Sequence, residues 1–155
     1  MSIIFKFPDY DENELFFVES VKNNVKSNSY FSRIIYSNYF MSLKNIYFTF
    51  TLKDVNYRDQ YLKTIIYFDE SKNDLTDLYN IEKNIIDKYI AYRQNFSNEN
   101  INPCYCIKQQ FKLNYIKVFK NSTLTNPINE TTEIFIKISG IWQTDNTVGI
   151  TFKFI

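Results

Sequence analysis

The segment Ile134-Phe-Ile-Lys-Ile-Ser-Gly-Ile-Trp142 is followed, after Gln143 and Thr144-Asp-Asn-Thr147, by Val148-Gly-Ile-Thr-Phe-Lys-Phe154. Apolar residues occupy every second position over much of both segments, which is the period of a β-strand with one buried face. The Thr, Asp and Asn residues between them are typical of a turn. The sequence therefore predicts a C-terminal hairpin of strands 133–142 and 147–154.

This hairpin contains both glycines of the chain, Gly140 and Gly149. A glycine inside a strand indicates a bulge, a sharp corner or a close backbone contact. Trp142 is in phase with the isoleucines that begin the first strand, which predicts a core position. A bulge at Gly140 would instead turn the indole to the opposite face.

Alternating or apolar patterns predict further strands earlier in the chain. The clearest covers residues 45–53, where Ile46, Phe48, Phe50 and Leu52 alternate with polar residues or tyrosine. The apolar phase shifts between Leu113 and Ile116, which indicates a bend or bulge. Residues 12–26 fit a helix or a strand equally well. The other predicted strands are 3–7, 30–36, 61–68 and 105–119.

One helix is predicted between these strands, over residues 74–93. Leu78, Ile81, Ile85 and Tyr89 recur at helical spacing, and Asn73 or Asp74 can cap its start. Strands, one helix and strands again, in 155 residues, predict a single mainly β domain with one central helix. An OB-like small β-barrel fits this order, and an antiparallel β-sandwich is the alternative.

Composition argues against an enzyme. The chain has no histidine, which excludes Ser-His-Asp and Cys-His catalysis, and it lacks the glycines of a phosphate-binding loop. Cys104 and Cys106 would point to the same face of a strand, yet two thiols cannot complete a zinc site. We therefore expect a binding domain with no catalytic residue, no cofactor and no metal.

The N-terminus reaches charge and proline too soon for a signal peptide, and no apolar run approaches the length of a membrane span. With only two cysteines, these features predict a cytoplasmic protein of a reducing compartment, without a membrane partner. The chain has 13 Tyr and 15 Phe but 2 Gly and 3 Pro. Together with its many Asn, Ile and Lys residues, this composition indicates an AT-rich genome, such as that of a virus, plasmid, parasite or organelle.

Aromatic and basic residues share the strand faces opposite the apolar ones. Rings can stack on bases and cations can follow phosphates, which is the combination that single-stranded nucleic acid requires. The net charge of +1 permits this if the cations are concentrated in one place. The acidic stretch at residues 9–19 is typical of a solvated face. The candidate nucleic-acid-binding residues are Arg33, Tyr47, Lys53, Tyr61, Lys63, Tyr67, Lys112, Tyr115, Lys117, Phe135, Lys137, Trp142 and Lys153.

The hairpin, together with Gln110-Phe-Lys-Leu-Asn-Tyr-Ile-Lys117, resembles the C-terminal parts of small single-stranded DNA-binding proteins of large DNA viruses and linear plasmids. The resemblance covers about the last third of the chain. It implies an OB-type barrel that coats displaced single strands at a viral or plasmid replication site, as a homo-oligomer. The end Phe152-Lys-Phe-Ile155 departs from the acidic tail that many such proteins carry, so recruitment through a tail is not expected.

The sequence thus predicts sequence-independent binding of single-stranded DNA, with RNA as an open alternative. The competing hypothesis is a viral structural or capsid-type protein whose aromatic strand faces pack against further copies of itself. Stacking and phosphate pairing should make nucleic-acid binding depend steeply on salt, whereas self-assembly should not.

Overall fold

A computed structural model of the chain describes residues 3–25, 27–119 and 131–155. Within these residues it contains β-strands, two α-helices and short 3₁₀ helices at Phe7–Asp9, Glu12–Glu14 and Glu70–Lys72. The helices are α1 (Thr76–Gln94) and α2 (Cys106–Phe111). The strands are β1 (Ile4–Phe5), β2 (Leu15–Phe17), β3 (Val21–Lys22), β4 (Tyr30–Ser37), β5 (Ser42–Leu43), β6 (Ile46–Lys53), β7 (Asn56–Asp59), β8 (Lys63–Tyr67), β9 (Asn102–Cys104), β10 (Tyr115–Phe119), β11 (Thr131–Gln143) and β12 (Thr147–Phe154).

The strands join into one sheet whose main path runs β1-β6-β11-β12-β10-β8-β7. Pairing is antiparallel except for β1 with β6 and for β12 with β9 and β10. The sheet curls like half of a barrel, and α1 is the one main helix. The predicted fold class, mainly β with one central helix in a small barrel-like sheet, is confirmed.

Strand β11 is the centre of this arrangement. Its register with β12 shifts between Ile138 and Gly140, so Ser139 is the extra residue of a β-bulge. On its other side, β11 pairs with β6 up to Ile138 and with β4 from Gly140 onward. The bulge therefore lies where β11 changes neighbours.

The core lies on one face of the sheet, and both helices pack there. Phe50 of β6 and Phe154 of β12 each place a ring 5.6 Å from that of Phe111 in α2. The hydroxyl of Tyr89 in α1 donates to Oε1 of the buried Gln143 in β11, at 2.8 Å. Among the described residues, neither helix is both long and apolar enough to cross a membrane.

The predicted helix 74–93 is observed with nearly the expected bounds. Its inward face buries the residues that carried the pattern, Leu78, Ile81, Ile85, Ile86 and Tyr89. Asp74 Oδ1 accepts from the amide of Thr76 at 3.1 Å, which satisfies one N–H at the helix start. Asn73 instead accepts from the amide of Lys53, at 2.8 Å, and so ties this loop to β6.

The prediction of one strand over residues 105–119 is wrong. The segment forms α2, then a tight turn in which Asn114 adopts φ 60°, then β10. Ile107 and Phe111 are four residues apart and both fully buried, which fits one helical face as well as an irregular strand. The apolar phase shift after Leu113 marks the change from helix to strand rather than a bulge.

The placement of both cysteines on one strand is also wrong, since Cys104 ends β9 and Cys106 begins α2. Their sulfur atoms nevertheless lie 3.2 Å apart. Near the N-terminus, strand 3–7 shortens to β1 because a 3₁₀ helix begins at Phe7, with Pro8 in its first turn. The ambiguous segment 12–26 contains a 3₁₀ helix, β2 and β3, and Lys26 lies outside the described residues.

A buried carboxylate joins the two helices. Glu82 lies on the inward face of α1 and is 0% exposed. Its Oε1 accepts from the amide of Ile107 at 2.7 Å, and its Oε2 accepts from the amide of Lys108 at 3.0 Å. The two bonds satisfy N–H groups in the first turn of α2, which has no capping side chain of its own.

Replacing Glu82 tests this cap. Burial raises the pKa of Glu82 above its ordinary 4.5, although the two amides act in the opposite direction. A raised pKa in the folded state gives stability at low pH that is lost as pH rises through that pKa. We therefore expect the free energy of unfolding of the native protein to fall, relative to Glu82→Gln, as pH rises from about 4.5 through the raised pKa.

The variant Glu82→Ala leaves two buried N–H groups without an acceptor and should lose about 1–3 kcal/mol for each. Urea denaturation across this pH range measures both effects. The exposed Asp87→Asn on the same helix is the control. A pH dependence identical in Glu82→Gln and the native protein would contradict the assignment.

Candidate nucleic-acid interface

The sheet has a second face, opposite the core, which we call the outer face. Residues directly opposite each other on paired strands project to the same side. Tyr47 of β6 is opposite Lys137 of β11, which in turn is opposite Lys153 of β12. Because the isoleucines between them face the core, all three of these side chains lie on the outer face.

The outer face continues across the other half of the path. Val118 and Phe154 pair and are both buried in the core, so their neighbours along β10 face outward. Tyr115 is opposite Tyr67 of β8, with ring centroids 6.2 Å apart. Phe119, opposite Lys63, and Lys117 lie on the same side.

The bulge places Trp142 on the outer face. Beyond Ser139 the phase of β11 is reversed, so Ile141 and Gln143 are buried and Trp142 is partly exposed. Trp142 is opposite Phe31 of β4. The core position predicted from the isoleucine phase is therefore not observed, and the bulge alternative, with the indole turned outward, is the observed one.

Of the thirteen candidate residues, eleven lie on the outer face and two do not. Tyr61 occupies the turn between β7 and β8, where it is 92% exposed. Strand β8 begins only at Lys63, because the amide of Gln60 donates to the carbonyl of Lys63 and closes a two-residue hairpin. Lys112 directly follows α2, in the segment 105–119 that the sequence predicts as a strand.

Positive charge is spread across the outer face, with one cation on each of seven strands. Arg58, which sequence reasoning missed, joins the set because it is opposite Ile65 of β8. All four residues of β7 are exposed, so this edge strand shows none of the apolar alternation that reveals a strand. The cations are Arg33 (β4), Lys53 (β6), Lys137 (β11), Lys153 (β12), Lys117 (β10), Lys63 (β8) and Arg58 (β7).

Acidic residues are nearly absent from the described positions of this face, although the chain carries 18 basic and 17 acidic residues. Glu133 is the exception, and its carboxylate accepts from the Thr49 hydroxyl at 2.7 Å. The acidic stretch at residues 9–19 contacts α1 instead, where the Lys88 ammonium group donates to the Glu12 carbonyl. Basic residues therefore predominate on the outer face, while the acidic stretch lies against α1.

Two lysines of the outer face contact one ring. The Nζ atoms of Lys63 and Lys153 lie 4.7 and 3.9 Å from the centroid of Phe119. The ion pairs of the described residues join Lys83 to Asp87 and Arg93 to Glu99, on and next to α1. Neither includes a cation of the outer face, so those cations remain available to an external anion.

Both glycines provide room for aromatic rings on this face. A Cβ atom on Gly149 would lie 2.5 Å from the indole of Trp142, and one on Gly140 would lie 2.7 Å from the ring of Phe31. Each ring therefore lies over a glycine of the neighbouring strand. The predicted reasons for the glycines, a bulge and a close contact, are both observed.

A cavity of about 390 Å³ lies away from the outer face, between the N-terminal segment and α1. Glu12 and Asp77 line it, together with Tyr10, whose pKa is raised mainly by burial. Within the described residues, no group of three or more Cys, Asp and Glu side chains is placed to hold a metal ion. The outer face is thus the surface on which aromatic and cationic groups are concentrated.

The substitution Gly149→Ala tests the packing of the indole. The added methyl group must displace Trp142, and such overpacking costs about 1–3 kcal/mol. Trp142 is the only tryptophan, so its emission and urea denaturation report the shift and the loss of stability directly. Thr51→Ala, at an exposed position of β6, is the control. Unchanged emission and stability would refute the close contact.

Comparison of the chain with protein-family models, with curated proteins and with solved structures finds no match.

Proposed function

We propose that this chain binds single-stranded DNA, without sequence preference, on the outer face of its sheet. The observation that carries the proposal is a set of seven cations on seven strands of that face, interleaved with partly exposed aromatic rings. Four of them, Lys137, Lys153, Lys117 and Arg58, form a row across the sheet from β11 to β7. The biological role that fits this activity is to cover strands exposed during replication. The chain itself would catalyse no reaction.

The row has the dimensions of an extended strand. Neighbouring strands lie about 4.8 Å apart, so the six strands from β6 to β7 span about 24 Å. Cations along this path pair with phosphates, and the rings of Tyr47, Phe135, Tyr115 and Tyr67 can stack on bases. Stacking contributes about 1–3 kcal/mol for each base and is indifferent to sequence. In duplex DNA the bases already stack on one another, so few base faces are available to these rings.

The positions of the cations lower the stability of the free protein. Lys137 and Lys153 are directly opposite each other on β11 and β12, and like charges in that position are destabilising. A structural role does not explain this pair, because the sheet would be more stable with one charge removed. A phosphate between the two ammonium groups would relieve the repulsion.

Titration of a labelled oligo-dT, followed by fluorescence anisotropy at several salt concentrations, tests the proposal. If all seven cations contact phosphates, the logarithm of the affinity should fall against the logarithm of salt concentration with a slope of about −5. Binding of matched duplex should be much weaker. A folded protein that binds neither form would refute the proposal.

The variants Lys137→Gln and Lys153→Gln separate binding from folding. Each should weaken oligo-dT binding and reduce the salt slope by about 0.7. Lys137→Gln should also raise the free energy of unfolding, since a like-charge contact is removed, whereas Lys153→Gln in addition loses the contact of its ammonium group with the Phe119 ring. Lys44→Gln, at an exposed residue between β5 and β6, is the control and should change neither. Variants that bind normally would remove this pair from the interface.

The rings are tested in the same assay. Tyr67→Ala, at a side chain that is 42% exposed, and Phe135→Ala should each weaken binding by about 1–3 kcal/mol. They should leave the salt slope unchanged because no cation is lost. Equal affinity of a folded double variant would exclude stacking on these two rings.

A structural, self-assembling subunit remains the second candidate, and one observation favours it. Tyr39 and Phe40 form the turn between β4 and β5, are 96% and 89% exposed, and lie with ring centroids 5.3 Å apart. Exposed aromatic pairs of this kind are suited to burial against another protein. Sedimentation without nucleic acid discriminates: salt-insensitive assembly that Tyr39→Ser and Phe40→Ser abolish would support this candidate.

A further inference from the structure

We infer that the outer face contains a discrete binding site, or seat, for one nucleotide, in which Lys117 and Lys153 hold the phosphate group and a tyrosine pair receives the base. This inference rests on the proposed function and adds a ligand class, a nucleoside monophosphate unit. The seat lies where β10 and β12 separate.

The separation follows from the sheet topology. Along one side, β12 pairs with β9 at residues 147–149 and with β10 only at Phe154. Within the described residues, no strand lies against residues 150–153 on that side. A cavity of about 200 Å³ lies at this gap, and Gln110, Lys117, Phe119 and Lys153 are among its lining residues.

The lining carries two cations, Lys117 and Lys153, and no acidic residue. A third cation, Lys63, lies at its border, since Lys63 and Lys153 both contact the Phe119 ring. The two distances to the ring centroid, 4.7 and 3.9 Å, place these ammonium nitrogens less than about 9 Å apart. Lys117 and Lys153 line the gap with no acidic side chain beside them, so they can both donate to one phosphate group there.

A base site adjoins the phosphate site. Tyr115 precedes Lys117 by two residues on β10, so the two side chains lie on one face about 6.7 Å apart. This separation is close to that between the base and the phosphate of one nucleotide. The ring of Tyr115 lies beside that of Tyr67, with centroids 6.2 Å apart, and the backbone carbonyl of Tyr115 accepts from the Gln110 amide at 2.9 Å. The stacking surface is therefore fixed relative to the lysines.

Binding of free dTMP to the full chain tests the seat. We expect saturable changes in amide NMR shifts at residues 115–119 and 153, with an affinity in the millimolar range. The double variant Lys117→Gln/Lys153→Gln should weaken dTMP binding at least tenfold, whereas Lys117→Arg/Lys153→Arg should retain it. Lys44→Gln, at an exposed residue outside the outer face, should bind dTMP as the native protein does.

Two further probes distinguish the possible failures. Oligo-dT that binds normally while dTMP does not would overturn the seat and leave the proposed function standing. If neither oligo-dT nor dTMP binds, both the nucleotide seat and the proposed function are refuted. Pyrophosphate that binds at the gap while dTMP does not, or dTMP shifts spread evenly over the outer face, would also overturn the nucleotide seat.

Discussion

The bulge at Ser139 is the constraint on which the rest of the sheet depends. It allows one strand, β11, to pair with β12 from Ile136 to Gln143 while its other neighbour changes from β6 to β4. It also reverses which residues face the core, so Ile141 is buried and Trp142 faces outward. Gly140 follows the extra residue and leaves room for the ring of Phe31. Without the bulge, the aromatic part of the outer face at this end would be buried.

The two faces of the sheet make opposite contributions to the free energy of unfolding. The core face buries apolar side chains, each contributing about 1.5–3 kcal/mol, and these support a surface that is not optimised for stability. On the outer face, Lys137 opposes Lys153, and within the described residues no ion pair offsets either charge. The protein stays folded with this surface because burial of the apolar core offsets the repulsion between the lysines. Segregation of the acidic stretch against α1 keeps its carboxylates from neutralising the row.

Local periodicity was sufficient for the central part of the fold. The alternation in β6 and in the C-terminal hairpin, with the helical spacing in α1, gave the central strands, the helix and five residues of the outer face, which are Tyr47, Lys53, Phe135, Lys137 and Lys153. It failed where a distant residue decides the structure. Segment 106–111 is helical partly because Glu82 caps it from α1, and no local pattern contains that information. Arg58 was missed because an edge strand with four exposed residues has no buried face to reveal it.

The missed helix explains the geometry of the outer face. A continuous strand over 105–119 would have a regular neighbour along β12 and leave no gap. Because α2 lies between β9 and β10 in the chain, the two strands meet β12 at separate places, and Gln110 at the end of α2 lines the opening. Glu82 holds the start of that helix from the core side. A buried carboxylate in α1 thus helps to position the helix whose Gln110 lines the gap between β10 and β12.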